Sequence, residues 1–304
     1  MSGLARTGGD DRGAVRGLTT ARPLVSRERL KRRLPGAVAT IILAIGGIAM
    51  VAPFVWMFAT SMRTATQAFD LPPQWIPWPL RADNYQAAIN GPVPLLQNML
   101  NSAVIAIAVA LGQLITCPLA GYAFARLRFP GRSALFLLLL TALMVPAQVT
   151  IIPLFIMMSN VGFVDDARSL ILPGLTGAFG VFLMRQFFLT LPQELLDAAR
   201  IDGAGAFTAY RLVALPLAKP ALTALGTIAF LGSWNAYFAP LIFLNSIEKA
   251  TMPLALVVLL GPHHSGNVAL IMAATTIAIL PALIVFLLAQ RWIVESMTRS
   301  GLKG

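Results

Sequence analysis

Six apolar stretches without a single Asp, Glu, Lys or Arg constrain this chain more than anything else in it. They are residues 37–60, 102–125, 133–158, 169–184, 221–244 and 268–289. A helix of roughly 20 apolar residues crosses a hydrocarbon core about 30 Å thick, and most of these runs meet that length. The fourth is the shortest and is punctuated by Pro173, Gly174, Gly177 and Gly180. Hydrophobic residues make up 57% of the chain and charged residues 12%, about half the usual globular share. The expected fold class is therefore an all-α polytopic membrane protein with six transmembrane helices. Its domains are a basic, mostly disordered tail over residues 1–36, a six-span unit over 37–292 and a tail over 293–304.

The basic charge orients this bundle. Net charge is +11, which by itself would suit a nucleic-acid partner. Placing both termini in the cytoplasm puts all but four of the 23 Lys and Arg inside, the exceptions being Arg63, Arg81, Arg168 and Lys249. That is the positive-inside pattern, and it comes mainly from short loops. The tight cluster Arg27, Arg29, Lys31, Arg32 and Arg33 reads as an anchor at anionic headgroups. No folded basic domain is left over to bind nucleic acid. Trp75 and Trp78, in the long external loop, suit a membrane interface.

One polar island interrupts the apolar pattern on the inside. Residues 193–220 read QELLDAARIDGAGAFTAYRLVALPLAKP. Thr190 and Gln193 have the spacing of a capping box, with Pro192 in the first turn. Glu194–Arg200 is rich in good helix formers. Gly203 and Gly205 offer cheap exits from that helix. The small side chains of Ala198, Ala199, Gly203 and Ala204 would let a partner's backbone come close. The residues alone leave two readings open, a helix that docks on another protein and a solvated connector.

The island resembles the coupling motif of bacterial ABC importer permeases. That motif is an acidic residue and two alanines, glycine three residues on, then an aliphatic–x–Leu–Pro ending. Here these are Asp197, Ala198, Ala199, Gly203, Val213, Leu215 and Pro216. The resemblance covers nearly all of the chain from Pro53 and is nearest to the second permease subunit of carbohydrate importers of the maltose-transporter type. Asp197 departs from the family's usual Glu and keeps the charge on a shorter arm. The resemblance implies ATPase coupling through a cytoplasmic loop, 190–220, between the fourth and fifth spans, with Glu194, Asp197, Ala198, Ala199, Asp202, Gly203, Ala204 and Pro216 at the contact. It also implies that the C-terminal Gly301, Lys303 and Gly304 reach between two ATPase subunits; a frayed, solvated end is the alternative.

The polar residues inside the spans are few. Asn235 is an amide at membrane depth, and an unpaired one there is costly, so it should face protein or a wet cavity. The resemblance puts Trp234 and Asn235 near the translocation path; a helix–helix hydrogen bond fits Asn235 equally well. Pro146 and Pro153 free carbonyls and bend the third span, with Gln148 between them as a path candidate; a kink in the core without solute contact is the alternative. Asn98, Asn101 and Ser102 fit helix capping. His263–His264 lacks further ligands at metal spacing, and Cys117 is the only cysteine, in an apolar run, so no metal or cofactor is expected. No G-x-x-x-x-G-K-[ST] occurs, so the chain cannot hydrolyse ATP by a P-loop mechanism on its own; the resemblance implies a transport subunit, not an enzyme, with the ATPase on separate subunits.

The function expected is one half of the translocation path of a binding-protein-dependent importer in the bacterial inner membrane. Its solute would be a sugar, oligosaccharide or polyol-phosphate. Its partners, as the resemblance implies, are a second, different permease, two ATPase subunits and an external solute-binding protein. The alternative is an ion-coupled secondary transporter. That class normally needs intramembrane acids or His, and all twelve Asp and Glu lie outside the spans. An intramembrane hydrolase would need a nucleophile–base pair at membrane depth, and none is legible.

Overall fold

The computed structural model describes residues 25–67, 75–76, 78–261 and 267–300. The secondary structure of these residues is helical throughout, without a strand. The chain divides into two compact units, Met1–Pro53 and Phe54–Gly304.

Helix α1 runs Val25–Ser61, and its stretch Val38–Ser61 is long and apolar enough to cross a membrane. It starts ahead of the boundary expected at residue 37, so the basic cluster 27–33 falls on helix rather than in an unstructured tail. Arg, Lys, Glu and Leu are good helix formers and let the helix extend past the apolar run. The last helix, α14 (Val268–Ser300), likewise runs into the expected C-terminal tail.

Between them lie α2 (Asp83–Asn90), α3 (Leu95–Arg126), α4 (Arg132–Ala142), α5 (Ala147–Asn160), α6 (Arg168–Gly174) and α7 (Ala178–Thr190). The 190–220 loop holds α8 (Gln193–Ile201), α9 (Ala206–Ala209), a π-helical turn Tyr210–Ala214 and α10 (Leu215–Leu217). Then come α11 (Lys219–Trp234), α12 (Phe238–Phe243) and α13 (Met252–Leu259).

Four continuous candidates for crossing a membrane are Val38–Ser61, α3, α6–α7 and Val268–Gln290; α4 with α5, and Ala206–Leu217 with α11, are bent pairs that bring the total to six if each is one span. The third expected span is therefore not a kinked rod but two helices at 99°. Pro146 explains it: it cannot donate an N–H, and it pushes Val145 out of the α region, so α5 starts afresh with Pro146 as its N-cap. The fifth expected span ends early. Asn235 is the C-cap of α11, and the chain resumes as α12 only at Phe238. The stretch between the fifth and sixth expected spans, 245–267, contains α13, an eight-residue apolar helix.

The core centres on the crossing of α3 and α7. Cys117, Tyr122, Met184 and Phe188 are buried there with Leu225. Glycines make the approach possible. A Cβ at Gly121 would stand 2.7 Å from the Cβ of Met184, and one at Gly180 would stand 2.7 Å from Sγ of Cys117. Without a strong hydrophobic drive between helices in lipid, such close packing is what holds them.

At the N-terminal end of α3, three polar residues do more than cap. Nδ2 of Asn98 donates to the carbonyls of Ile247 (2.6 Å) and Ala250 (3.0 Å), and Nδ2 of Asn101 to that of Glu248 (2.8 Å). Oγ of Ser102 accepts the N–H of Met252 at 2.7 Å, which caps α13 instead of α3. Asn84 and Tyr85 tie α2 to the end of α1: Asn84 donates to the carbonyls of Ser61 and Arg63, and the Tyr85 hydroxyl meets Oγ of Ser61 at 2.7 Å.

Candidate functional site

The 190–220 loop is anchored from beneath by few groups. Leu196 is 1% exposed and enters the cluster of Tyr122, Phe188 and Tyr210, while every other α8 residue except Ala199 is exposed. Tyr122 stacks edge-on to Phe188 at 5.5 Å and tilted to Tyr210 at 5.2 Å, which joins α3, α7 and the π-helical turn under α8. Arg126, the last residue of α3, closes the assembly. Its Nε donates to the Phe188 carbonyl at 2.9 Å, its Nη2 to the carbonyls of Phe188 and Leu191, and its Nη1 to Oε1 of Gln193 at 2.6 Å. A guanidinium suits this task because its donors are fixed in a plane and the orphan carbonyls at the end of α7 carry the negative end of the helix dipole.

The capping box expected at Thr190 and Gln193 does not form. Pro192 is the N-cap of α8, and Oγ1 of Thr190 donates backward to the Phe187 carbonyl. Gln193 instead relays from Arg126 to Asp197, its Nε2 donating to Oδ1 of Asp197 at 3.0 Å. Arg200 reaches the same oxygen at 2.9 Å. The pair is half exposed, so its worth is in orienting Asp197 more than in stability.

The helix ends as a Schellman motif. Gly203 donates to the Arg200 carbonyl at 3.0 Å and Ala204 to that of Ala199 at 2.9 Å. Gly203 has φ of +84°, and no heavy atom lies within 4 Å of where its Cβ would stand. Gly205 has φ of −66° and needs no such freedom. Glu194, Asp197, Ala198, Asp202, Gly203 and Pro216 are exposed, and Ala199 and Ala204 half-buried. Beside them stand two large bare hydrophobics, Ile201 at 86% and Phe207 at 66% exposure. Neither was singled out from the sequence, although an apolar side chain inside a polar island was a visible signal.

The path candidates do not come together. Trp234 is 3% exposed and stacks on Phe230 at 5.8 Å, in the core between α3 and α11. Asn235 is exposed at the break after α11, and Gln148 is exposed in the first turn of α5. A groove of about 450 Å³ runs among α3, α6–α7, α11 and α12. Its polar lining is Gln113, Ser233 and Thr251. Gln113 donates to the Gly174 carbonyl at 3.1 Å, which meets the group that α6 loses at its end. Gln113 is an amide in mid-span, the same signal that marked Asn235. Gly301, Lys303, Gly304 and His263–His264 lie outside the described residues. No group of three His, Cys, Asp or Glu suited to a metal occurs among those described.

Helices of membrane-crossing length around a glycine-packed core, with a polar helical loop presented from it, define a multi-span membrane protein. Residues 117–299 match the family model described as "Binding-protein-dependent transport system inner membrane component". The chain is 33% identical over 277 residues to the sn-glycerol-3-phosphate transport system permease protein UgpE of Rhizobium meliloti (strain 1021), covering 89% of this chain and 98% of that one. It is 35% identical over 268 residues to the protein of the same name from Yersinia pestis bv. Antiqua (strain Antiqua), covering 86% and 95%. Among solved structures, a chain described as a bacterial ABC transporter involved in the import of the acidic polysaccharide alginate has the same fold, with a TM-score of 0.75 at 22% identity over 89% of this chain and 99% of that one. The chain belongs to the permeases of binding-protein-dependent ABC importers and is a multi-pass protein of the bacterial inner membrane.

Proposed function

We propose that this chain forms half of the path for a polyol-phosphate, sugar or oligosaccharide, with ATP hydrolysed on separate subunits. The exposed α8–Gly203 surface, held at its back by Leu196 and Arg126, carries the reading. A helix fixed to the spans on one face and bare on the other is a lever, and a two-state partner can move it. In this reading an ATPase subunit grips Glu194, Asp197, Ala198, Ala199, Asp202, Gly203, Ala204 and Pro216. The spans are six, both termini and the 190–220 loop are cytoplasmic, and residues 37–292 are the transmembrane domain. A second permease completes the path and an external binding protein delivers solute. Gln148 and Asn235 are retained as path positions, and Gln113 joins them. The relatives named for sn-glycerol-3-phosphate transport favour a polyol-phosphate.

The test is purification of the native complex, with identification of copurifying chains and uptake of sn-glycerol 3-phosphate against maltose. Copurification of an ATPase and a second permease, with ATP-dependent uptake of either solute, is expected. A chain that purifies alone and accumulates solute on an ion gradient would overturn it. For topology, single cysteines at Ala206→Cys and Ser265→Cys in a Cys117→Ala background are labelled in intact cells with an impermeant thiol reagent. Ser265→Cys should label and Ala206→Cys should not; the reverse sinks the orientation.

A further inference from the structure

The turn between α3 and α4 carries a basic feature apart from the 190–220 loop and the groove. Phe124 packs against Phe129 at 5.9 Å and against Phe136 at 5.5 Å. Arg185 of α7 lays its guanidinium 4.0 Å from the Phe136 ring centroid and directs Nε to the Phe124 carbonyl at 3.4 Å. Arg132 donates one Nη1 hydrogen to the Leu127 carbonyl at 3.0 Å. A guanidinium has five N–H donors, so both retain most of theirs. Phe124, Arg132, Ser133, Phe136, Leu140 and Arg185 line a cavity of about 290 Å³. A hollow of about 580 Å³ bordered by Arg128 adjoins it through Arg132 and Ser133. No carboxylate lines either, and among the described residues Arg128, Arg132 and Arg185 enter no ion pair.

Three unneutralised arginines beside an aromatic floor call for an anion. The surface that continues from them is apolar: Leu135, Leu137 and Leu138 of α4 are 51–66% exposed. A free anion would satisfy the arginines and leave those leucines bare. An acidic protein segment would have to lie against leucines at hydrocarbon depth. An amphiphile satisfies both surfaces at once, because its phosphate sits where its chains begin. We propose that this is a binding site for an anionic phospholipid of the leaflet on the side of the 190–220 loop. The phosphodiester lies between Arg132 and Arg185, Arg128 borders it, and the acyl chains lie on the leucines of α4. The inference rests on the chain's residence in the membrane and not on which solute it carries.

The test uses the full chain, purified in neutral detergent with whatever subunits accompany it. Retained phosphatidylglycerol and phosphatidylethanolamine are counted by native mass spectrometry, and melting is followed as each is added back. Wild type should retain phosphatidylglycerol preferentially and melt higher with it. Arg132→Gln with Arg185→Gln should lose that preference, by about fivefold per arginine removed. Lys219→Gln, which removes an exposed charge elsewhere, should keep it. If the double variant does not fold, Arg128→Gln, an exposed side chain, must itself weaken retention. Unchanged preference in the arginine variants overturns the proposal. So does inorganic phosphate that raises melting as much as the lipid, or an acidic partner peptide cross-linked at Arg132. A wild-type complex that shows no ATP-dependent uptake yet retains phosphatidylglycerol preferentially would strike the transport reading and leave this one standing.

Discussion

Arg126 and Phe188 are bound through two donors of one guanidinium, Nε at 2.9 Å and Nη2 at 2.6 Å from the same carbonyl oxygen. Arg126 ends α3 and Phe188 lies in the last turn of the adjacent α7, and α8 begins beside them. Motion of α8 is thereby connected to the glycine-packed crossing of α3 and α7. Arg126→Lys keeps the charge but offers one ammonium to acceptors that now share a fork. Charge-assisted hydrogen bonds of this kind contribute about 1.5–3 kcal/mol each. Amide exchange over Leu195–Ile201 should speed up by at least about tenfold. Unchanged protection there would mean that Arg126 does not hold the helix.

Gly203→Ala and Gly203→Asp separate backbone from surface. The left-handed φ costs a residue with a Cβ about 1 kcal/mol, too little to unfold the spans. Gly203→Ala should insert at normal levels with a modest loss of uptake. Gly203→Asp adds a charged side chain to the bare face and should abolish uptake and ATPase copurification at normal membrane abundance. Thr208→Asp should be milder. Normal transport by Gly203→Asp would reduce the loop to a connector.

Gly121→Ala attacks the crossing of α3 and α7. The new Cβ would stand 2.7 Å from Cβ of Met184 and 2.8 Å from N of Arg185, with backbone on one side that cannot rotate away. Overpacking of this kind costs about 1–3 kcal/mol. A lower melting temperature in detergent is expected, whereas Gly205→Ala, with open space around it, should leave melting unchanged.

Asp165 makes stability acid-sensitive. Its carboxylate accepts from the Ser246 hydroxyl, the N–H groups of Ser246 and Asn245, and Lys249, and these hold its pKa far below the ordinary carboxylate range. Arg168 holds neighbouring Asp166 down at about 2. Folded values below unfolded ones mean a contribution present in full above about pH 4 and lost as pH falls below it. Asp165→Asn tolerates the φ of +57°, removes the charge and turns one acceptor oxygen into an NH2 donor that cannot accept from Lys249. It should melt lower near neutrality and change less between about pH 5 and pH 3. Parallel pH profiles for the two proteins would contradict the assignment.

Gln113→Leu and Asn235→Leu compare two amides. Gln113 is bonded to Gly174 and borders the groove, whereas Asn235 is exposed at a helix break. Gln113→Leu should lower both melting temperature and uptake, and Asn235→Leu should lower uptake alone. If Asn235→Leu transports at the wild-type level, the residue has no part in the path.

Hydropathy, charge and glycine positions are local properties, and what they determine was legible in the sequence. The apolar helices, the helix at Glu194–Arg200 and the exit at Gly203 follow from residues within a few positions of each other. So did the membrane class, because no other solvent tolerates such runs. What the tertiary structure decided depends on partners far along the chain. Asn98 looked like a cap and instead holds carbonyls about 150 residues away. Trp234 looked like a path residue, and only the position of Phe230 and its neighbours shows it to be core. Arg126 carried no local signal, since its acceptors are the spare carbonyls of another helix. Pro146 announced a bend, but not that it would be a 99° break between two separate helices. Backbone groups must be satisfied wherever they fall, and the sequence does not show which distant side chain will do it.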